Sequence, residues 1–412
     1  MTAQTLAEMD AATLPQFPMR RRCPFSPPPE YDAFRAEQPV APVRLWNGQK
    51  VWLVSRYDDV RQVLAEKRVS NNSTHPNYPI TYEARGTVKG MLASDGEPPY
   101  FLHYDGDKHF EHRRMVARDF AIRPIKDMEP LVQAHIDELI DSMLDSPEKP
   151  VDLVRAFALP LPTRIISGML GVPYEDMKRL QEATDNSSSF NQDPEEARAA
   201  VIELGQLIDD LVTAKEKSPG QDIISRLVVE QVRPGHLTRS QLLRMIRMLL
   251  IAGHETTANM ISLITLYLLE NDDLRARLTE DPSQMTQAVE EMLRYFTIAH
   301  LATCRVAIED FEVAGTTIKA GDGIIALISS ADRDGAHFSA PDEVNIDRPG
   351  RDHLAFGYGV HQCLGQPLAR LELRLAVSTL LRRVPTLRLA ASRDSLQFKD
   401  YFNGLQSLPV TW

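Results

Sequence analysis

The stretch from Thr238 to about Glu270 constrains the fold most, because it reads as one helix. At about 1.5 Å per residue it would run roughly 50 Å, enough to cross a whole domain. Thr238 and Gln241 stand at its start as a capping-box pair. Its middle is apolar on nearly every face, which reads as a buried central helix. Arg244, Arg247, His254 and Glu255 argue against a membrane span. At its centre stands the run Ala252-Gly253-His254-Glu255-Thr256-Thr257. A glycine costs about 1 kcal/mol against alanine inside a helix, and two β-branched threonines add to that. One weakness of this kind is tolerable. Several together, in an apolar stretch, point to a site.

The rest of the chain sets the frame. Its 412 residues carry 46 Lys+Arg against 57 Asp+Glu, a net charge of −11. That balance argues against a nucleic-acid partner or an anionic membrane surface. Three scattered cysteines (Cys23, Cys304, Cys363) make no disulfide framework, so a reducing cytoplasm is expected. The N-terminal residues lack the basic-then-apolar pattern of a secretory signal. No uncharged apolar run of about 18 residues occurs. Residues 1–14 are expected to be disordered and 15–412 to form a single domain. Asn47-Gly48 predicts a hairpin whose turn has positive φ at both positions. Asp58 or Asp59 is expected to cap a helix near Val60. A long irregular stretch covers 68–104. Helical patterns follow at 109–120, 125–144, 161–170 and 197–216. A second β region spans 306–328, and Asn403-Gly404 predicts a turn in the tail. The expected class is mainly α, with small β-sheets in the N- and C-terminal thirds.

The segment Phe356–Val377 carries the clearest chemistry. Gly357 and Gly359 permit a tight loop. Cys363 then precedes an amphipathic helix with Leu364, Leu368 and Leu371 on one face and Pro367 in its first turn. A sulfur at a helix N-terminus is favoured as thiolate. Gly365 would let a flat ligand approach the backbone. Phe356, seven residues upstream, supplies an aromatic neighbour. This is a way to present one thiolate to a haem iron.

From about Phe17 to Trp412 the chain resembles the cytochrome P-450 family, of the soluble actinomycete type, on Phe356-Gly357-x-Gly359-x-His361-x-Cys363-x-Gly365 and on the run Ala252–Thr257. The resemblance implies the mainly α P-450 fold, with haem b buried between the long central helix and the Cys-ligand loop. Cys363 would be the iron ligand. Glu255 and Thr256 would be the acid–alcohol pair that holds dioxygen and relays protons, with Ala252 and Gly253 leaving room beside them. Phe356 and Gly365 would line the haem. His109, Arg113, Arg305 and His361 would meet its propionates. Glu291 and Arg294, with Arg348 downstream, would brace the Cys loop.

The implied activity is a monooxygenase that hydroxylates or epoxidises a small organic substrate, in natural-product tailoring or xenobiotic oxidation. A ferredoxin and a ferredoxin reductase would donate electrons to a monomer. A nitric oxide-using member of the fold and a non-catalytic haem sensor are the alternatives. The segment before His109 departs from the family pattern, with His103 and Tyr104 where small or apolar residues are usual, and His300 stands where the chain passes the substrate. Pocket residues are expected from 71–104, 184–192, the long helix, 297–302 and 400–406. They include Asn71, His75, Tyr78, Arg85 and Asn191.

Overall fold

The structure is a computed structural model. It describes residues 6–83, 86, 92–93, 96–188, 194–299, 301, 303–349, 351–399 and 402–412. Arg85, Asn191 and His300, singled out from the sequence, lie outside the described residues. The chain divides into two compact units.

The first unit comprises Met1–His109, Glu290–Cys363 and Lys399–Asn403. Its five-stranded sheet runs, in spatial order, Val40–Arg44, Lys50–Val54, Gly323–Ala326, Cys304–Ala307 and Val69–Ser70. Lys50–Val54 pairs parallel with Gly323–Ala326, with Val51 opposite Gly323. A Cβ at Gly323 would lie 2.9 Å from Val51 Cγ1, so glycine permits the close pairing. The first two strands form the expected hairpin, but through a different turn. Gly48 alone takes positive φ (83°), and the Leu45 carbonyl accepts from Gly48 N at 3.0 Å. This fits a three-residue loop in which the glycine follows the turn. The predicted Asp58 or Asp59 cap is corrected. The helix spans Tyr57–Ala65 with no cap from either. Instead Asp334 Oδ2 accepts from Tyr57 N at 2.9 Å. Residues 6–8 and 11–13 form two short 3-10 turns, and Leu6 is buried among Trp52, Val54 and Ile324.

The second unit comprises Phe110–Val289, Leu364–Phe398 and Gly404–Trp412. Its axis is the helix Arg239–Glu270, with both halves of the Thr238–Gln241 capping box present. Pro160–Leu170, Pro194–Lys217 and Gln366–Arg383 pack against it. The expected 125–144 helix is two, Ile122–Asp127 and Glu129–Leu144. A small sheet places Pro409–Thr411 between Val151–Asp152 and Arg388–Leu389. Among the described residues, no helix is long and apolar enough to cross a membrane.

The tail turn takes in Phe402 and Asn403, and Gly404 begins the strand Gly404–Leu405. Gly404 is not in positive φ, and Asn403 is 1 % exposed. Its Nδ2 donates to Pro24 O (3.1 Å) and Phe296 O (2.9 Å), and its backbone N–H to Ile298 O (3.1 Å). Asn403 is thus a clamp between distant segments as well as a turn residue.

Candidate active site

The cysteine loop, in the first unit, is closed by its own backbone. Cys363 N donates to Phe356 O at 2.8 Å, and Gly357 N to Leu354 O at 2.7 Å. Gly357 and Gly359 have φ of 71° and 74°. A Cβ on Gly359 would lie 2.8 Å from the Leu64 carbonyl oxygen, so that glycine is required twice over. Cys363 is exposed. Cys304, 59 positions earlier, is wholly buried in its strand. The helix Gln366–Arg383 begins two residues after Leu364, with Gly365 as N-cap. A Cβ on Gly365 would meet nothing within 4 Å, which leaves that backbone open to a flat ligand.

Behind the loop, Glu291 and Arg294 form a buried two-point ion pair, each 2–3 % exposed. All five N–H of Arg294 are used. Nε and Nη2 bond Glu291 at 2.9 and 2.7 Å. The remaining three reach the carbonyls of Asp332, Pro341 and Glu343 at 2.7, 2.8 and 3.0 Å. Arg348 Nε joins Glu291 at 3.2 Å. A second buried pair, which sequence reading missed, lies alongside: His353 Nε2 and Glu290 Oε2 are 3.2 Å apart. Ala355 N donates to His353 Nδ1, so the ring proton sits on Nε2 and is given to Glu290. The doubled glutamate was the only signal, and it is too common to read.

Asp332 links this network to the loop. It is wholly buried. Its carboxylate accepts from Leu354 N (2.7 Å) and Thr297 Oγ1 (3.1 Å). Burial pushes its pKa up to about 6, against the opposing pull of His353, the Leu354 amide, Thr297 and Arg294. The native state therefore holds this proton more tightly than the unfolded chain. The stability it contributes is fully present below about pH 4 and is lost as pH rises through 6. The loss amounts to about 3 kcal/mol in all, on the order of 1.4 kcal/mol for each pH unit crossed. Denaturant titrations of wild type and Asp332→Asn should show the wild-type advantage shrinking across that window. A constant difference between pH 4 and 6 would refute this reading of Asp332.

The sequence-predicted propionate residues of this unit come together in part. The rings of His109 and His361 lie 4.1 Å apart. Arg305 is 5 % exposed. Its Nη1 donates to Asn71 Oδ1 (2.9 Å) and Cys304 O (2.8 Å). Burial lowers its pKa, and no carboxylate pairs with it among the described residues. Asn71 is the hub here. Its backbone carbonyl meets His103 Nδ1 at 3.1 Å, which places that ring's proton on Nδ1. Its backbone N–H donates to Asp105 Oδ1 at 2.8 Å. His103 and Tyr104, unusual in sequence, are buried. His103 stands edge-on to Tyr78, and Lys108 lies over the Tyr104 ring. Arg113 is half-buried one turn beyond His109, in the second unit.

In the second unit the long helix opens on one side at its centre. Ala252 is exposed there, and Gly253, Glu255 and Thr256 are half-buried, whereas His254 and Thr257 are buried. Thr256 Oγ1 donates to Ala252 O at 2.9 Å. That fixes the hydroxyl with its lone pairs turned outward. His254 Nδ1 bonds Thr163 Oγ1. Thr163 spends its own proton on Leu159 O at 2.7 Å, so His254 carries hydrogen on Nδ1. Gly253 does more than leave room: a Cβ there would press on Ile166 at 3.3 Å, so it lets Pro160–Leu170 pack closely.

This donor set fits a haem. It offers one exposed sulfur on a glycine loop, and a desolvated guanidinium that pairs with no carboxylate among the described residues. Among the described residues, no three His, Cys, Asp or Glu side chains gather to hold a bare metal ion.

The cytochrome P450 family model matches residues 190–387. Cytochrome P450-SU2 of Streptomyces griseolus is 43 % identical over the full length of both chains. Mycinamicin VIII C21 methyl hydroxylase of Micromonospora griseorubida is 39 % identical, over 96 % of this chain and 99 % of its own. The crystal structure of GfsF superposes with a TM-score of 0.90 at 44 % identity, covering 97 % of this chain and all of that one. None of these relatives supports a nitric oxide-using enzyme or a sensor. On fold, on likeness along its whole length and on its haem-ligand signature, the chain belongs to the cytochrome P450 family and is a haem b-dependent monooxygenase acting on a small organic substrate.

Proposed function

We propose that the chain tailors a natural product by hydroxylation or epoxidation, as a single catalytic domain over 15–412. Cys363 serves as thiolate ligand, Arg305, His109, Arg113 and His361 hold the haem carboxylates, and a ferredoxin with its reductase supplies electrons. The observation that carries this reading is the pairing, within one unit, of an exposed Cys363 on a closed glycine loop with a buried Arg305 short of an anion. The printed names of relatives support the substrate class: pentalenic acid synthase and 20-oxo-5-O-mycaminosyltylactone 23-monooxygenase are 40 % and 39 % identical.

Haem, when bound, supplies the dioxygen chemistry. The chain supplies protons and order. Thr256, its hydroxyl proton held by Ala252 O, accepts a hydrogen bond from water and orients it. Glu255, the adjacent acid, helps relay protons. Thr256→Ala should retain the haem but lower product formed per NADPH about tenfold or more, with hydrogen peroxide making up the difference. Unchanged coupling would remove Thr256 from proton delivery. Substrate class is tested by titrating the ferric protein with macrolactones and terpenoid acids. A low-spin to high-spin change is expected from at least one of them. Response only to compounds unrelated to natural products would overturn the tailoring role.

A further inference from the structure

We propose that Asn71 is a positioning residue for the haem carboxylates: its uncharged side-chain amide grips one nitrogen of Arg305 and leaves the rest of the guanidinium, with its full charge, to the cofactor. This role rests on Arg305 meeting a haem carboxylate. Asn71, Arg305 and their partners named below lie in the first unit. Asn71 is 3 % exposed, and each of its four polar groups is engaged. Oδ1 accepts from Arg305 Nη1 at 2.9 Å, and Nδ2 donates to Leu102 O at 2.5 Å. A guanidinium can only donate and a carbonyl can only accept, so the amide has one orientation. The backbone N–H donates to Asp105 Oδ1 at 2.8 Å, and the carbonyl meets His103 Nδ1 at 3.1 Å. Asp105 O in turn accepts from His109 N at 3.3 Å, in the first turn of the helix Gly106–Ala117. One residue thus joins the strand of Arg305 to the start of the helix that carries His109.

An amide meets both demands of this place. The described residues give Arg305 two acceptors, Asn71 Oδ1 and Cys304 O, both neutral and both on Nη1. Its Nε and Nη2, the side-on edge whose parallel N–H bonds suit a carboxylate, receive none from them. Asp105, whose charge Arg305 feels, is engaged by Asn71 N and by Ser70 Oγ. An aspartate at position 71 would neutralise Arg305 and turn an acceptor on the Leu102 carbonyl. An aliphatic residue there would leave Nη1 with Cys304 O alone. The amide holds the cation still without cancelling it, which is what a fixed site for an incoming anion needs.

The test is transfer of the cofactor from the loaded full chain to excess apomyoglobin, measured for haem b and for its dimethyl ester, which carries no free carboxylate. Asn71→Ala should lose haem b about tenfold faster than wild type, the scale of one hydrogen bond to a charged group. It should lose the ester at the wild-type rate. In an Arg305→Met background, Asn71→Ala should make no further difference. Asn71→Asp keeps the size and the Oδ1 acceptor but sets an anion against Arg305. It should also lose haem b faster and the ester no faster. If Asn71→Ala does not fold, Asn71→Asp decides. Wild-type retention of haem b in either variant, or equal acceleration for both forms of the cofactor, would overturn the positioning role. Wild type that loses haem b and its ester equally fast would remove Arg305 itself from the carboxylates. A wild-type preference for haem b that both Asn71 variants leave intact would remove Asn71 alone.

Discussion

Cys363→His should abolish the long-wavelength Soret band of the reduced carbon monoxide complex while leaving a haem-containing protein. That band depends on sulfur donation to iron, which imidazole does not supply. The loop is held by backbone bonds, Cys363 N to Phe356 O and Gly357 N to Leu354 O. Neither involves the sulfur, so the substitution changes the proposed ligand and not the closure. Cys304 is no substitute. It is wholly buried in the sheet, with its thiol toward Leu301 O. Cys304→Ala should therefore keep the band. Loss of the band in both variants would point to a general collapse, and its survival in Cys363→His would exclude thiolate ligation by Cys363.

Local signals survived the passage from sequence to structure; tertiary ones did not. The Thr238–Gln241 box lies within four residues and formed as read. Gly357 and Gly359 sit in left-handed backbone because the loop turns there, a demand written in the residues themselves. The cap of Tyr57–Ala65 was misread because a local aspartate looked sufficient, while the acceptor, Asp334, is 277 positions away. Asn403-Gly404 marked the tail turn, but nothing local shows that Asn403 also clamps Pro24 and Phe296. Cys363 stands out in the sequence because few structures need one cysteine behind two glycines. The Glu290–His353 pair was not, because neither residue type is unusual alone and 63 positions separate them. Gly253 was read for space, but its role in admitting Ile166 depends on a helix that the sequence does not place.

Arg294→Lys should cost about 3–5 kcal/mol, the scale of two or more buried acceptors left without donors at about 1–3 kcal/mol each. The guanidinium spends five N–H on five acceptors from three chain segments. Lysine has three protons on a point charge and cannot form the two-point bond to Glu291. At least two acceptors, buried with it, then lose their donors. Glu291→Gln should also be severe, because Arg294 and Arg348 would face each other with no anion between them. Denaturation followed by haem absorbance and by far-UV ellipticity measures both losses. The residues hold the segment leading to the cysteine loop without touching the Cys363 sulfur. A folded, haem-loaded fraction of either variant should therefore keep the thiolate Soret band. An altered band in that fraction would mean that the network acts on the sulfur itself. Stability within about 0.5 kcal/mol of wild type, the range of an ordinary surface substitution, would mean that the buried network does not brace the loop.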